Sequence, residues 1–171
     1  MSLSMHQISV PLFKQSLSAL VAVLKKAEAH CADNGLDPRD FLTKRLAADM
    51  FTLTQQVQRA TFHSCQAGAK LAGVETPAFD DDESSFDDLQ GRIRKTVDFL
   101  NSLEAEKFEE SEDRQVEIQT RIALLKLSGL DFLLHFAIPQ FLFHTTTAYD
   151  IIRNANIEVG KRDFLGDVLY R

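Results

Sequence analysis

The sequence predicts an all-α fold, a four-helix bundle, on three observations. Apolar residues recur in steps of three and four through four long segments. Turn and cap signals at Asn34-Gly35, at Gly73 and at Ser128-Gly129 separate those segments. The one stretch with strand-like alternation is short and precedes the last helical region.

The first helix is expected from about Met5 to Asp33. Val10, Phe13, Leu17, Leu20, Leu24, Ala27 and Cys31 make one apolar stripe, and Pro11 falls in the first turns, where a missing N–H is best tolerated. The second is expected to open at Asp37-Pro38, an N-cap with proline at the first helical position, and to run to about Gly73. Its stripe would be Leu46, Met50, Leu53, Val57, Ala60, Ser64, Ala67 and Leu71. The small residues of its second half admit a close neighbour, either another helix or a second subunit. The third helix is capped by Ser84 or Ser85 and buries Phe86, Leu89, Ile93, Val97, Leu100 and Leu103. The acidic run Asp80–Glu83 lies where a helix N-terminus favours negative charge. It lacks the alternating ligands of a calcium loop.

Residues from about Glu104 to Gly129 differ. Val116, Ile118, Thr120 and Ile122 alternate with polar residues, which predicts a small β-hairpin or irregular excursion. The last helical region is expected from about Leu130 to Asn154, divided by Pro139. The tail Gly160–Arg171, with Phe164, Leu165, Val168 and Leu169, is expected to pack on the bundle, all within one domain spanning 1–171.

Composition narrows the function. The net charge is −6 and the basic residues are scattered, which argues against a nucleic-acid partner. Two cysteines, Cys31 and Cys65, form no CxxC pair and read as small buried residues. No apolar run approaches the roughly 20 residues of a membrane span, and no signal peptide is recognisable. The expected setting is cytoplasmic, without a membrane partner. Glycine-rich phosphate loops and a nucleophile elbow are absent.

His144, in the middle of an apolar helix, is the leading candidate for chemistry. A buried imidazole needs partners for both ring nitrogens: a carboxylate, a carbonyl or a metal. Gln140 stands one turn before it, where a helical His-x-x-x-His pair would place its first ligand. Asp49 could face His144 across the bundle or pair with Lys44 or Arg45. Seven-residue steps lead from Asp49 to Gln56 and His63, the outer two about 21 Å apart on a helix. His135 reads as structural or exposed, and His6 and His30 as exposed. A cleft lined by Phe132, Phe136, Phe143 and Tyr149 would admit a small-molecule ligand.

Four segments resemble a bacterial family of unknown function in the DinB/YfiT-like superfamily. They are Asp37–Val57 (DPRDFLTKRLAADMFTLTQQV), Leu71–Glu83 (LAGVETPAFDDDE), Phe143–Arg153 (FHTTTAYDIIR) and Val159–Gly166 (VGKRDFLG). The resemblance covers nearly the whole chain. It implies an up-down-down-up four-helix bundle, often a homodimer. It also implies kinship with metal-dependent proteins, some of them thiol S-transferases or hydrolases using bacillithiol, mycothiol or glutathione. Their metal triad is one His on the second helix and a His-x-x-x-His on the fourth. On that pattern His144 matches the second His of the pair, Gln140 replaces the first, and Asp49 lies near the second-helix position. A divalent metal (Zn, Ni or Mn) and no cofactor at all are both readings of such a site, the latter favoured. The resemblance therefore implies an uncharacterised bundle without the full triad, with a metal-dependent enzyme and a small-molecule binder as alternatives.

Overall fold

The computed structural model describes residues 3–168, and its first helix, α1 (Met5–Asn34), bears out the expected stripe. Ser4 and Gln7 close a capping box at its start, and Gly35 ends it at φ 63°, a left-handed conformation that glycine adopts without penalty. Val10, Phe13, Leu17, Leu20, Leu24, Ala27 and Cys31 are all buried. By length and composition α1 could cross a membrane, but this stripe is part of the protein's own core.

The second helix is not continuous, contrary to the expectation of one helix from Asp37 to Gly73. A short α2 (Pro38–Leu42) is followed by an irregular stretch, and the long helix α3 begins only at Leu53 and runs to Ala72. Local hydrogen bonding explains the break. The Thr43 hydroxyl turns back to the Arg39 carbonyl, and Thr52 forms a second capping box with Gln55. Arg45 donates to the carbonyl oxygens of Ala48 and Met50. Leu46 therefore lies off the helix, exposed, instead of on its apolar stripe.

The segment 73–85 leads to α4 (Phe86–Ser102), capped by Ser85. A 3₁₀ turn (Ala105–Phe108) and an antiparallel hairpin, β1 (Gln115–Gln119) and β2 (Leu124–Ser128), form the expected excursion. Val116 and Ile118 point inward, while Ile122 lies in the turn and is exposed. The chain re-enters the helical layer at α5 (Gly129–Asp131), where a Cβ on Gly129 would sit 1.8 Å from the Ser111 carbonyl oxygen. Only glycine permits that approach.

A π-helical turn (Phe132–Ala137) then runs into α6 (Ile138–Asn154). Pro139, at the start of α6, cannot donate to the preceding turn, and the wider π geometry falls where a regular helix would clash with the proline ring. The expected division at Pro139 thus takes the form of a change in helix type. A last helix, α7 (Lys161–Leu165), is tied to α1 by Lys26–Asp163 at 2.8 Å and by Gln15 donating to the Leu165 carbonyl. Phe164 meets Tyr149 edge-on. Leu165 and Val168 are exposed, and Leu169 to Arg171 lie outside the described residues.

The long helices α1, α3, α4 and α6 share the core. Phe13 of α1 meets Phe141 of α6 edge-on at 4.9 Å. Gln90 near the start of α4 donates to Glu28 near the end of α1, and His6 near the start of α1 packs on Phe108 just past α4. The small residues of α3 have their neighbour within the chain: a Cβ on Gly68 would lie 2.7 Å from a Leu103 methyl and 3.0 Å from one of Leu100.

Candidate functional site

Two buried polar clusters flank α3. The one toward α4 is organised by Arg92, whose side chain is 3% exposed. Its Nε donates to Thr61 Oγ1 at 2.7 Å, and its Nη1 meets Glu83 at 2.8 Å and Asp81 at 2.6 Å. The guanidinium lies over the Phe79 ring at 4.4 Å. Glu83 also accepts from the Gln58 amide at 2.8 Å. Burial alone would raise the Glu83 carboxyl, but the bonds from Arg92 and Gln58 outweigh it and hold it below its usual range. The acidic run thus does more than favour a helix dipole: Asp81 and Glu83 neutralise a buried guanidinium and fasten the 73–85 segment to α3 and α4. An open depression of about 490 Å³, lined by Asp80, Asp82, Asp87, Asp88 and Arg94 among others, lies beside this cluster.

The cluster toward α6 contains His144. Its imidazole is 6% exposed, and Nδ1 lies 2.7 Å from Gln56 Oε1 on α3. The same Gln56 amide donates through Nε2 to the Phe51 carbonyl at 3.3 Å. That bond fixes which end of the amide faces His144, so the oxygen accepts and His144 carries its proton on Nδ1. The ring of His63, two turns after Gln56 on α3, is stacked on that of His144, with centroids 5.4 Å apart and planes within 7°. Phe51 stacks over His144, and Phe143 meets it edge-on. Both are substantially exposed, at 45% and 55%. His63 Nδ1 is sealed from solvent and has no hydrogen-bond partner among the described residues.

Both imidazoles are neutral near pH 7. Burial, then the neighbouring His144 ring and the Arg59 charge, push His63 down to about 4. Burial, then Arg59, bring His144 to about 4 as well. Arg59, one turn before His63, is only loosely paired: Asp81 lies 3.4 Å from it but 2.6 Å from Arg92.

The three residues expected to converge are placed differently. His144 is in the buried cluster. Gln140, one turn earlier on α6, is half-buried, and Asp49 is exposed in the 43–52 stretch, two residues before Phe51. No group of three or more His, Cys, Asp or Glu side chains able to hold a metal ion occurs among the described residues. Imidazole lone pairs lie in the ring plane, and Zn–N bonds are about 2.0–2.1 Å. An ion in the plane of one stacked ring would lie well out of the plane of the other, so the donor set does not fit one shared ion as arranged.

The partners sequence reasoning missed are Gln56 and His63. Their seven-residue spacing puts them on one face of α3, but the count began from Asp49, which is not on that helix. His135 is exposed, 3.9 Å from Asp131, while His6 and His30 are half-buried rather than exposed. Of the four aromatic residues expected to line a cleft, Phe132 is fully buried and stacks on half-buried Phe136, Phe143 is exposed, and Tyr149 packs on Phe164. Both cysteines are buried, and burial raises the Cys65 thiol to about 11.

Comparison with known proteins agrees with this architecture. No curated protein matches the chain. A crystal structure described as a DinB family member protein from Shewanella denitrificans is similar at 35% sequence identity and a TM-score of 0.91, over 97% of this chain and 94% of that one. The family model described as a domain of unknown function (DUF1993) matches residues 5–165. The chain therefore belongs to the DUF1993 family and is DinB-like in structure.

Proposed function

We propose that this protein is a DinB-like bundle that works without the three-ligand metal of its superfamily, as a binding protein centred on the neutral His63–His144 pair. The observation that carries this reading is the stacked geometry of the two rings, with Gln56 already bonded to His144 Nδ1. Such a pair offers hydrogen bonds and a flat apolar surface instead of converging lone pairs. The test is metal analysis after purification without chelators, followed by thermal shift with Zn²⁺, Ni²⁺ and Mn²⁺. Substoichiometric metal and an unchanged Tm are expected. One equivalent of metal per chain that is lost in His144→Ala would overturn the reading, since bound metal stabilises by mass action.

A metal-dependent thiol S-transferase or hydrolase using His144, Gln140 and Asp49 is the second reading. It is favoured by Gln140 standing one turn from His144 and by Asp49 lying two residues from Phe51, whose ring covers His144. It requires the 43–52 stretch to move and the His144 ring to turn. Metal-stimulated consumption of bacillithiol, mycothiol or glutathione, abolished in both His144→Ala and Asp49→Ala, would establish it.

We propose further that the chain is one domain with an up-down-down-up helix order. Contacts between Gln58 and Glu83, Thr61 and Arg92, and Gly68 and Leu103 support a parallel α3 and α4. Contacts Glu28–Gln90 and His6–Phe108 support an antiparallel α1 and α4, and Gln56–His144 with His63–Phe136 an antiparallel α3 and α6. We propose a cytoplasmic homodimer, as the family resemblance implies; the net charge of −6 accords with no nucleic-acid partner, and the burial of the α1 stripe with no membrane partner. Light scattering on the purified protein, at two protein monomers per particle, checks the dimer.

A further inference from the structure

Helices α4 and α6 turn different faces outward. On α4 the exposed side chains include Asp87, Asp88, Arg94, Lys95 and Asp98. Between Asp131 and Asp150 the chain has no Asp, Glu, Lys or Arg, yet this stretch also has an outer face. Leu134 is 45% exposed, Leu142 37% and Phe143 55%, and Leu130, one turn before Leu134, is 40% exposed. In an unbroken α-helix the three four-residue steps from Leu130 to Leu142 would turn about 120° around the axis. The wider π turn at Phe132–Ala137 takes back much of that drift. Leu130, Leu134, half-buried Ile138 and Leu142 therefore make one apolar strip along the outside of the helical layer. A contiguous apolar surface of this kind marks a contact with another molecule.

We propose that this strip is the two-fold contact between two copies of the chain, α6 packed antiparallel on the partner's α6, with the axis beside Leu142. Charge argues for a second copy as the occupant. An uncharged strip is complementary to itself, as a two-fold contact requires. Its ends carry unlike charges, Asp131 beside Leu130 and exposed Arg153 near the end of α6. Both lie eleven residues from Leu142 (142 − 131 and 153 − 142), so the antiparallel order sets each Asp131 toward the other copy's Arg153. A parallel order would set like against like. Asp150 lies about 80° around the helix from Leu142, off the strip. Area argues the same way. A standard interface takes about 800 Å² from each partner, and a strip about 35 Å long and 10 Å wide supplies nearly half of that. Phe51, 45% exposed, packs on the same His144 ring as Phe143 and widens the surface toward the 43–52 stretch. The small-residue face of α3 offers no rival at Gly68, since Leu100 and Leu103 fill the space there. The proposal rests on the dimer reading above and assigns the face that makes it.

The test is sedimentation equilibrium of the full chain and its Leu142→Glu variant. The natural chain is expected to be a dimer. Leu142→Glu, which sets two carboxylates together at the axis, should raise the dimer Kd by about a hundredfold. Leu142 is partly exposed, so the variant should keep its helical circular dichroism. Cysteine pairing gives a second readout that does not depend on it. Cys31 and Cys65 are buried, and helices about 8–10 Å apart bring facing residues within disulfide reach. Leu142→Cys should therefore oxidise to a covalent dimer, while Asp98→Cys on the charged face of α4 should not. Asp131→Arg should weaken the dimer about threefold, and adding Arg153→Asp should restore it. A dimer unaffected by Leu142→Glu and not cross-linked by Leu142→Cys would overturn this face and leave the dimer reading standing. A natural chain that stays monomeric at about 100 µM, a Kd weaker than about −5.5 kcal/mol of association, would overturn both.

Discussion

Helix α3 carries a polar cluster on each of two sides, and the two are completed to different degrees. Toward α4, a charged guanidinium has two carboxylates, a hydroxyl and a backbone carbonyl as partners. Toward α6, two neutral rings are stacked, Gln56 bonds only that of His144, and the buried Nδ1 of His63 has no partner among the described residues. Buried polar groups are normally satisfied because an unpaired one loses its hydration without compensation. A completed network such as that of Arg92 is what structural use looks like. The half-completed one is rimmed by the exposed rings of Phe51 and Phe143. One side of α3 is fastened by buried charge, and the other is left to two neutral rings.

The largest effect should come from the completed side. Arg92→Ala strands Asp81 and Glu83 and removes the anchor of the 73–85 segment. A loss of about 3–5 kcal/mol is expected from breaking a buried pair by removing one partner. Urea unfolding measures it. Arg92→Met, which keeps apolar bulk over Phe79, should lose less. A near-neutral Arg92→Ala would break the comparison, because the cluster would then not fasten the fold.

Acid should strike the two sides in sequence. The folded-state imidazoles sit near 4, below the unfolded value of about 6.5. The unfolded chain therefore takes up protons first, and this contribution to stability is present above pH 6.5 and is lost as pH falls from 6.5 toward 4. The loss is of the order of 1–3 kcal/mol for the pair, since the half-buried His63 is partly screened. Glu83, held below its ordinary value, contributes stability that is present above pH 4.5 and is lost only as pH falls below that. Tm between pH 7 and 3.5 should decline in two stages. The double variant His63→Asn, His144→Asn should flatten the first stage and spare the second.

Gln56→Leu should cost about 1–2 kcal/mol, because the bond between His144 and Gln56 and the donor to the Phe51 carbonyl are lost together. A urea titration of this variant sharpens the comparison, since it measures what the side-chain bond across α3 and α6 contributes.

The periodic features of this chain were legible in its sequence for a physical reason: a helix that buries one face writes its period into the residues. The α1 stripe with its glycine cap, the alternation of Val116 and Ile118, and the long last helix are of this kind. The break at Thr43–Thr52 was harder to read, since Leu46, Met50 and Leu53 keep a helical spacing there. Two small polar side chains, Thr43 and Thr52, end and start helices by local hydrogen bonds that no periodicity records. That break displaced Asp49 from the helix face and hid the partners of His144. Gln56 and His63 lie 88 and 81 positions before His144 (144 − 56 and 144 − 63), and their pairing arises only from how α3 and α6 pack. Arg92 was likewise unreadable, because its carboxylates come from a segment without regular structure.

The smallest expected effect is the most diagnostic for the α6 side. Gln140→His would install the His-x-x-x-His spacing on α6 at a half-buried position where the present side chain has no buried bond to lose. Without metal, stability should change by no more than about 0.5 kcal/mol. With Zn²⁺ added, two imidazoles one turn apart on one helix have lone pairs that can converge, unlike the stacked pair of His63 and His144. The variant should therefore gain Tm with Zn²⁺, by up to about 2.7 kcal/mol at a hundredfold excess over Kd, while the natural protein gains none. If both respond alike, the stacked pair was never the obstacle, and the contrast drawn between the two sides of α3 fails on its α6 side. If only the variant responds, a single missing imidazole on α6 separates this site from a metal centre, and the hydrogen bond from His144 to Gln56 is the feature that holds the ring for other use.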